Sequence, residues 1–557
     1  MRRPDTPPRS LPGRAPPLVA LLLMAAACHP KSPGASSPDP CVTSALLGCE
    51  PAQPAAPRGL ADYHVHQMAG AAFGGAWIWG AEDGPPAQAL APCSGHGFDH
   101  GLIAAPEGGP ANLGRHDPGG YPDFEGWPRF NTISHQQAYS AWLREAHDQG
   151  LDLMVMSAVE QTDFCELIPA STRRYTCDDF ASVKRQIQMA WDFERAHADW
   201  YKIVLSPAEA RAAIAEGKLA VVLAVEAGDL FDGAGSVVGR LTELRSLGVR
   251  ALQPVHETDN RFAGAAWHDP PLLTLQLSHY ASHPAERRAQ RALKRAQPCT
   301  LGAGCMNHIA GLAGFALDAE GRNLRGLSDA GRALVQAMID REMILDISHL
   351  SERAIADSFE ISKDHHYYPL FVSHAHFSDV EPEEIGEWSY SLSIVSNILE
   401  TGGVLGLRSS SSLSPTVVGS GVVNDCDGSS KSFAQRLSWV TRSLGLQVGF
   451  ASDFGGLATN LAPRFGEDAC ADAHDGVRGA QRAAQRGASG LRIDQRGFAH
   501  IGMLGEVIAE LRSVGADTAP LYQGAESFIR MWERIEDPKR ARLDRSFDPE
   551  AARAALR

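Results

Sequence analysis

Short apolar runs that end in a polar or charged residue recur along the chain from residue 60 onward. Such runs, when turn signals bound them, are typical of strands buried in a sheet. The chain contains eight of them: Leu60–His66, Leu151–Glu160, Leu219–Glu226, Val249–His256, Met343–His349, Leu370–His374, Val404–Arg408 and Val448–Asp453. The pattern therefore predicts eight buried strands.

Several segments between these runs carry the start signals of helices. The run Ser206–Glu209 combines a capping serine, a proline at the first helical position and a capping-box glutamate. Serines also open the predicted helices Ser236–Leu247, Ser328–Arg341 and Ser351–Phe359, and Gly248 follows the first at a natural helix end. Alternating strands and helices predict a parallel sheet, and eight repeats predict its closure as a (β/α)8 barrel of the TIM type.

Three connecting segments are much longer than ordinary loops. They are rich in Gly, Pro and Ala, and we interpret them as insertions near residues 71–129, 267–323 and 455–495. With these insertions the predicted barrel domain spans residues 59–545 of the 557. Residues 28–58 are rich in Pro, Ser and Ala without periodicity, which predicts a flexible tether before the barrel.

The polar residues at the ends of the predicted strands indicate a metal site. Side chains alternate along a strand, so Asp62, His64 and His66 are expected to face the barrel interior together. Two imidazoles about 7 Å apart along a strand can converge on one ion, and Asp62 is expected to accept a ring N–H from one of them. The other strand ends carry Glu226, His256, His349, His374 and Asp453. Because the carboxyl ends of barrel strands share one face, we predict that all these side chains meet around one or two zinc-like ions.

Composition and charge narrow the range of partners. A hydrophobic content of 44% and a charged content of 21% describe an ordinary folded protein. The net charge of −15 comes without a dense basic block, so nucleic acid is not an expected partner. A small-molecule substrate is the partner that the metal site predicts.

The N-terminus has the layout of an export signal. Four arginines precede an apolar run from Leu18 to Ala27 that is too short to span a bilayer, which predicts a signal peptide over residues 1–27. Cys28 resembles the lipid-modified cysteine of bacterial lipoproteins, and a lipid there would anchor the protein in the cell envelope. Cleavage without a lipid would leave the protein periplasmic or secreted.

Export implies an oxidising compartment, where the nine cysteines after Cys28 can form disulfides. The spacing suggests the pairs Cys41/Cys49, Cys165/Cys177, Cys299/Cys305 and, more loosely, Cys426/Cys470, with Cys93 left over. The sequence leaves this connectivity open.

Five segments together resemble a known family: Val225–Gly228, Leu244–His256, Gly326–His349, Val372–His374 and Ala451–Gly455. In this order they are similar to the blocks of the renal (membrane) dipeptidase family, peptidase family M19 of the amidohydrolase superfamily, and the resemblance covers roughly residues 59–460. It implies a binuclear zinc barrel that hydrolyses dipeptides.

The resemblance also implies a role for each site residue. His64 and His66 would hold the first metal, and Glu226 would bridge both metals. His349 and His374 would hold the second metal. His256 matches the family's substrate-polarising histidine, and Asp453 matches its catalytic acid/base.

The chain departs from the family pattern at two places. The family's first motif is H-x-D, whereas His64-Val65-His66 is H-x-H, which makes the metal centre more positive by one charge. The family's arginine that grips the dipeptide carboxylate has no counterpart in residues 375–387. Arg408 and Arg261 are the alternatives for that role. The substrate class thus stays open between dipeptides, another amide and a lactone.

Other functional classes find less support in the sequence. The spacing of Gly233, Gly235 and Gly239 differs from the dinucleotide-binding motif, and no G-x-S-x-G nucleophile elbow occurs. A non-catalytic exported metal-binding barrel is an alternative, but a pure metal binder needs neither His256 nor Asp453. The sequence predicts a dipeptidase-like hydrolase that cleaves an amide bond with metal-activated water.

Overall fold

A ten-stranded sheet forms the centre of the computed structural model. The structure describes residues 59–93, 119–232, 235–266, 318, 321–378, 380, 387, 389–412, 414, 416–466, 469–470 and 492–537. Its strands are β1 Leu60–Val65, β2 Leu151–Glu160, β3 Tyr201–Ile203, β4 Leu219–Ala227, β5 Val249–Leu252, β6 Ile344–Asp346, β7 Leu370–Phe377, β8 Ser389–Tyr390, β9 Val404–Arg408 and β10 Val448–Ala451. All described residues belong to one compact unit, residues 56–557.

Eight of these strands close into a parallel barrel. The order around the barrel is β1, β2, β4, β5, β6, β7, β9 and β10, and β10 pairs with β1. These are the eight strands that the apolar runs predict, and the (β/α)8 fold class is confirmed. The short strands β3 and β8, which were not predicted, pair with β4 and β7.

Helices connect the strands and surround the barrel. The α-helices are α1 Pro86–Ala89, α2 Ser140–Asp148, α3 Thr162–Leu167, α4 Asp179–Ala196, α5 Pro207–Ala215, α6 Val237–Ser246, α7 Asp329–Ile339, α8 Glu352–Asp364, α9 Leu392–Thr401, α10 Ser430–Ser438, α11 Ile493–Arg496, α12 Leu504–Ser513 and α13 Gly524–Glu536. Shorter helical turns are Ala69–Ala71, Phe73–Gly75, Trp439–Ser443, Ile501–Met503 and Ala519–Gln523. No helix among the described residues has the length and apolar character needed to cross a membrane.

The predicted helix starts are confirmed by their caps. The Ser206 side chain accepts the N–H of Glu209, three residues into α5, and thereby satisfies a helical donor that would otherwise lack a partner. Ser236, Ser328 and Ser351 cap α6, α7 and α8 in the same way. Local sequence therefore fixes where each of these helices begins.

Small and aromatic side chains fill the space beneath the strand ends. Ala220, Val222 and Ala224 share the face of β4 that carries Glu226, and they belong to a buried cluster that includes much of α13. The Tyr63 ring lies 5.7 Å from Phe371 and 5.4 Å from Phe528 of α13. This packed layer supports the site residues at the carboxyl end of the barrel.

Two of the suggested disulfides are present, Cys165–Cys177 and Cys426–Cys470. Cys93 is buried. The signal peptide, the tether, Cys28 and the pairs Cys41/Cys49 and Cys299/Cys305 lie outside the described residues, as do large parts of the three proposed insertions.

Candidate metal centre

Glu226 lies at the middle of the site, and its two carboxylate oxygens face different histidines. Oε2 lies 3.1 Å from Nε2 of His64 and 3.0 Å from Nε2 of His66, both from the end of β1. Oε1 lies 2.9 Å from Nε2 of His349 and 3.8 Å from Nε2 of His256. The carboxylate therefore separates the histidines into two groups.

Asp453 and His374 complete the cluster. Oδ1 of Asp453 lies 3.1 Å from Nε2 of His66 and 3.6 Å from Nε2 of His64. Nε2 of His374 lies 2.8 Å from Nε2 of His349, and the His374 ring centre lies 4.1 Å from that of His64. The structure thus brings all seven residues of the predicted site together.

Three overlapping groups of these residues have the geometry to hold a cation, with one ligand atom per residue and all atoms of a group within 4.8 Å of one another. They are His64 with Glu226 and His374; His64 with His66 and Asp453; and Glu226 with His256 and His349. Imidazole nitrogens and carboxylate oxygens are the donors that zinc and similar divalent metals take from proteins.

Neighbouring oxygens fix the orientation of two of these rings. Nδ1 of His66 lies 2.9 Å from the carbonyl oxygen of Ser157 on β2, so this nitrogen carries the proton and donates to it. Nδ1 of His374 lies 2.9 Å from Oγ of Ser373. In both rings Nε2 is left to face the centre of the cluster.

The charges in the cluster stabilise one another. Burial opposes ionisation of Glu226, but His64 and His256 outweigh it and hold the pKa of this carboxyl well below its usual range. Burial likewise opposes a charge on His66, yet hydrogen bonds to Asp453 and Glu226 raise its pKa to about 10. The two carboxylates are thus held ionised, and they attract positive charge to the space between them.

His349 differs in charge from His256 and His374. Burial opposes protonation of His349, but Glu257 and Glu226 raise its pKa to about 9. Burial lowers the pKa of His256 to about 4. Burial together with His64 and His349 holds the pKa of His374 well below its usual range. His256 and His374 are therefore neutral near pH 7.

Two site residues have a backbone conformation that is unusual for side chains with a Cβ. His349 has a φ of 62° and Asp453 a φ of 55°. A left-handed conformation costs a non-glycine residue about 1–3 kcal/mol, and such residues concentrate at functional sites. The Asp453 N–H donates to the carbonyl oxygen of His64 at 2.8 Å, which ties the end of β10 to β1.

The prediction for Asp62 is wrong. Its Oδ1 accepts the backbone N–H groups of His64 at 3.2 Å and Ser452 at 3.1 Å, not a histidine ring N–H. The cause is a register shift in the pairing of β1 with β2. Asp62 and Val65, which are three residues apart on β1, pair with two residues that are only two apart on β2. The carboxylate therefore holds the backbones of β1 and β10 together below the site.

The two arginines considered for a carboxylate clamp have other partners. Arg408 is buried, lies 3.3 Å from Oδ2 of Asp453 and donates to the carbonyl oxygen of Ser452 at 2.7 Å. Burial opposes ionisation of Asp453, but Arg408 and His66 hold its pKa far below the usual range. Arg261 donates to the carbonyl oxygen of Phe231 and its side chain is 44% exposed. Arg408 thus supports Asp453 instead of facing a substrate carboxylate.

One residue of the cluster was missed from the sequence. Oε1 of Glu257 lies 3.7 Å from Nε2 of His256 and 3.6 Å from Nδ1 of His349. The available signal was its position directly after His256, at a predicted strand end, which is where the other site residues were found.

A closed parallel barrel with histidines and carboxylates gathered at its carboxyl end is an architecture of metal-dependent hydrolases. The family model of the membrane dipeptidases, peptidase family M19, matches residues 132–278 and 294–464. These segments make up more than half of the 557 residues, and the chain belongs to this family. The match includes five of the seven site residues and begins after His64 and His66.

Several solved structures are similar at low identity. A dipeptidase described as a metallopeptidase of family M19 is 17% identical, with a TM-score of 0.44, over 72% of this chain and 89% of that one. A metallopeptidase from Rhodobacter sphaeroides, solved with a phosphinate mimic of L-Ala-D-Ala, is 17% identical, with a TM-score of 0.44, over 72% and 90%. The probable dipeptidase PvdM from Pseudomonas aeruginosa is 15% identical, with a TM-score of 0.45, over 71% and 88%. The comparison with curated proteins gives no match.

Family membership confirms the predicted activity class. The protein is a metal-dependent, dipeptidase-like hydrolase that acts on a small-molecule substrate. The alternative of a non-catalytic barrel is not favoured.

Proposed function

We propose that the protein is a binuclear zinc dipeptidase in which Glu226 bridges the two ions. The observation that carries this proposal is the division of the histidines between the two Glu226 oxygens. His64 and His66 would hold the first ion with Oε2, and His349 would hold the second with Oε1. His374, whose Nε2 lies 2.8 Å from that of His349, would complete the second site.

The residues present fit such a pair of cations. Nε2 of His349 and Nε2 of His374 face each other at 2.8 Å, at the end of two partly buried rings. A hydrogen bond between them needs a proton on one nitrogen and the lone pair of the other, whereas a divalent cation would take the lone pairs of both. Two ions bound there would lower the pKa of a shared water and polarise the carbonyl of the substrate.

Asp453 would move the proton during hydrolysis. Arg408 holds Oδ2, which leaves Oδ1 facing His64 and His66 at the centre of the site. Because Asp453 is ionised, it can accept a proton from the attacking water and then deliver it to the leaving amine.

His256 would stabilise the carbonyl oxygen of the substrate. Its Nε2 lies between Oε1 of Glu226 and Oε1 of Glu257, at 3.8 and 3.7 Å. An N–H at this position can donate to the oxyanion as it forms, and loss of one such donor typically costs about 10²–10³-fold in kcat.

The proposal is tested with the purified full chain. Its metal content is measured, and hydrolysis of dipeptides, N-acyl amino acids and lactones is followed on the same sample. We expect two zinc ions per chain and hydrolysis of dipeptides. Hydrolysis of lactones alone, or no bound metal after loading with Zn²⁺, would refute the dipeptidase proposal.

A matched pair of variants tests the role of Asp453. Asp453→Asn keeps the size of the side chain but cannot take up the proton, so kcat should fall about 10²–10⁴-fold with the metal content unchanged. Asp192→Asn makes the same change on the exposed face of α4 and should leave kcat unaltered. Equal activity of Asp453→Asn and the unmodified protein would contradict the proton-transfer role.

We further propose that the protein is exported and held in the cell envelope by a lipid on Cys28. The disulfides Cys165–Cys177 and Cys426–Cys470 support an oxidising compartment. Labelling of expressing bacteria with radioactive palmitate should mark the protein, and Cys28→Ser should abolish the label. A labelled Cys28→Ser protein, or an unlabelled unmodified one, would refute the lipid anchor.

A further inference from the structure

We propose that Glu257 is a positioning residue for the second metal, whose carboxylate holds the His349 ring with Nε2 directed at the ion. The inference rests on the proposed function, because it assigns a role at the metal site proposed above. It adds a carboxylate that the sequence pattern did not indicate.

The two nitrogens of His349 face two different carboxylates. Nε2 lies 2.9 Å from Oε1 of Glu226, and Nδ1 lies 3.6 Å from Oε1 of Glu257. Both glutamate side chains are almost buried, with exposed fractions of 2% for Glu226 and 11% for Glu257. Glu257 therefore lies on the side of the ring opposite the bridging carboxylate, where it stabilises a proton on Nδ1.

The histidines proposed as metal ligands differ in the group that faces their Nδ1 atom. Nδ1 of His66 faces a backbone carbonyl, and Nδ1 of His374 faces a serine hydroxyl. Among the ion pairs of the described residues, only the His349 pair sets a carboxylate against the Nδ1 of a proposed ligand. At 3.6 Å the Glu257 contact is an electrostatic one and not a hydrogen bond, and a full negative charge favours a proton on the facing nitrogen more than a neutral oxygen at the same distance would. The second metal would thus depend on Glu257 in a way that the first does not.

The loop that carries Glu257 is held firmly in place. The Asn260 side chain donates to the carbonyl oxygens of Gly228 and Pro254, both at 2.9 Å. Oδ1 of Asp259 accepts the N–H of Ala265 at 2.8 Å. These buried bonds fix the backbone on the carboxyl side of Glu257.

His349 needs such support more than the other rings do. Its φ of 62° is unfavourable for a residue with a Cβ, so the backbone conformation at His349 depends on contacts with the surrounding structure. The Ala266 N–H donates a hydrogen bond of 2.7 Å to the His349 carbonyl oxygen, which fixes the His349 backbone but not its ring. The Glu257 carboxylate, 3.6 Å from Nδ1, would favour the Nδ1–H tautomer through its charge, which leaves Nε2 for the ion. In metal sites, such partners typically change metal affinity by about 10–100-fold.

The test measures metal binding directly. Metal-free full chain is titrated with Zn²⁺ alone in a calorimeter and with Co²⁺ alone by absorption, in the unmodified protein, Glu257→Gln and Glu257→Ala. We expect one of the two dissociation constants to rise about 10–100-fold in Glu257→Ala and less in Glu257→Gln, which keeps an acceptor oxygen. The Co²⁺ absorption band of the weakened site should shift, because its ligand geometry changes.

A matched control variant shows whether the loss of any buried carboxylate would weaken metal binding. Glu160 ends the neighbouring strand β2, is buried and accepts the N–H of Phe73 at 2.9 Å, so Glu160→Gln should leave both dissociation constants unchanged. Thermal unfolding of each metal-free variant identifies any that has lost its fold, and Glu257→Gln serves if Glu257→Ala does not fold.

The outcomes distinguish failure of the binuclear site from failure of the role proposed for Glu257. Fewer than two metals in the unmodified protein would overturn the binuclear site itself. Two metals in the unmodified protein, with both constants unchanged in the Glu257 variants, would overturn only the role of Glu257. An equal rise of both constants would also overturn it, because the second metal would not be selectively affected.

Discussion

Acid should destabilise the protein through a buried histidine that is not part of the candidate metal centre. His500 is fully buried, its ring is stacked on Trp142 at 4.1 Å, and neither ring nitrogen has a hydrogen-bond partner among the described residues. Burial lowers its pKa from 6.5 to about 3. The folded protein therefore keeps this ring neutral in a pH range where the unfolded chain protonates it.

The sign and size of the effect follow from this difference. Between pH 6.5 and about 3, the unfolded chain binds one more proton at this residue than the folded protein does, so stability falls as the pH falls. Each pH unit in this window costs about 1.4 kcal/mol. Between pH 8 and pH 5, His500 should therefore reduce the free energy of unfolding by about 2 kcal/mol.

The assay compares urea unfolding of the unmodified protein and His500→Phe at pH 8 and pH 5. Phenylalanine keeps the stacking on Trp142 but cannot be protonated, so the variant should lose about 2 kcal/mol less on acidification. Both proteins carry the same strand-end histidines and carboxylates. Any loss of stability that acid causes through these residues is therefore the same in both and cancels when their losses are compared.

A control in the same segment isolates protonation from packing. Phe498 is buried and its ring lies 4.8 Å from Phe454, so Phe498→Leu should weaken the segment equally at both pH values. If the unmodified protein and His500→Phe lose the same stability on acidification, the reasoning is refuted.

Three further predictions concern the site and the disulfides. Glu226→Ala should reduce the bound metal from two ions to at most one, measured by elemental analysis, because its Oε2 faces His64 at 3.1 Å and its Oε1 faces His349 at 2.9 Å; two retained ions would contradict the bridging role. Arg408→Met should raise the pKa of Asp453, since the Arg408 charge contributes most to keeping this carboxyl ionised, so kcat/KM of the variant should fall more on the acid side of the pH profile than that of the unmodified protein; profiles of the same shape would contradict this. Cys426→Ser should cost about 4 kcal/mol of stability and Cys165→Ser about 3, because the closed loops have separations of 44 and 12 residues; a larger loss from Cys165→Ser in urea unfolding would contradict the loop-length argument.

The sequence predicts the barrel and the strand-end cluster well, for a physical reason. Strands buried on both faces are almost continuously apolar, so a polar residue that ends such a run stands out. Glu226 at the end of β4 and Asp453 just after β10 are examples. Because all parallel strands end on one face, their meeting follows from topology without any knowledge of contacts.

What the sequence could not predict depends on short or irregular structure. The strands β3 and β8 have three and two residues, too few to show a period. The register shift in β1 turned Asp62 toward backbone groups, and no residue type in that run signals it. Glu257 lies after the last residue of β5 and reaches His349 only through the fold of its loop.

The pairing of β1 with β10 determines when the site can exist at all. Asp62 and Ser452, which are bonded across this pair, lie 390 positions apart in the chain. During synthesis His64 and His66 are made early, but the aspartate that faces them and the strand that closes their side come hundreds of residues later. A nascent or truncated polypeptide thus contains these histidines without the other residues of the metal site. Metal binding is therefore expected only late in folding, once the barrel has closed.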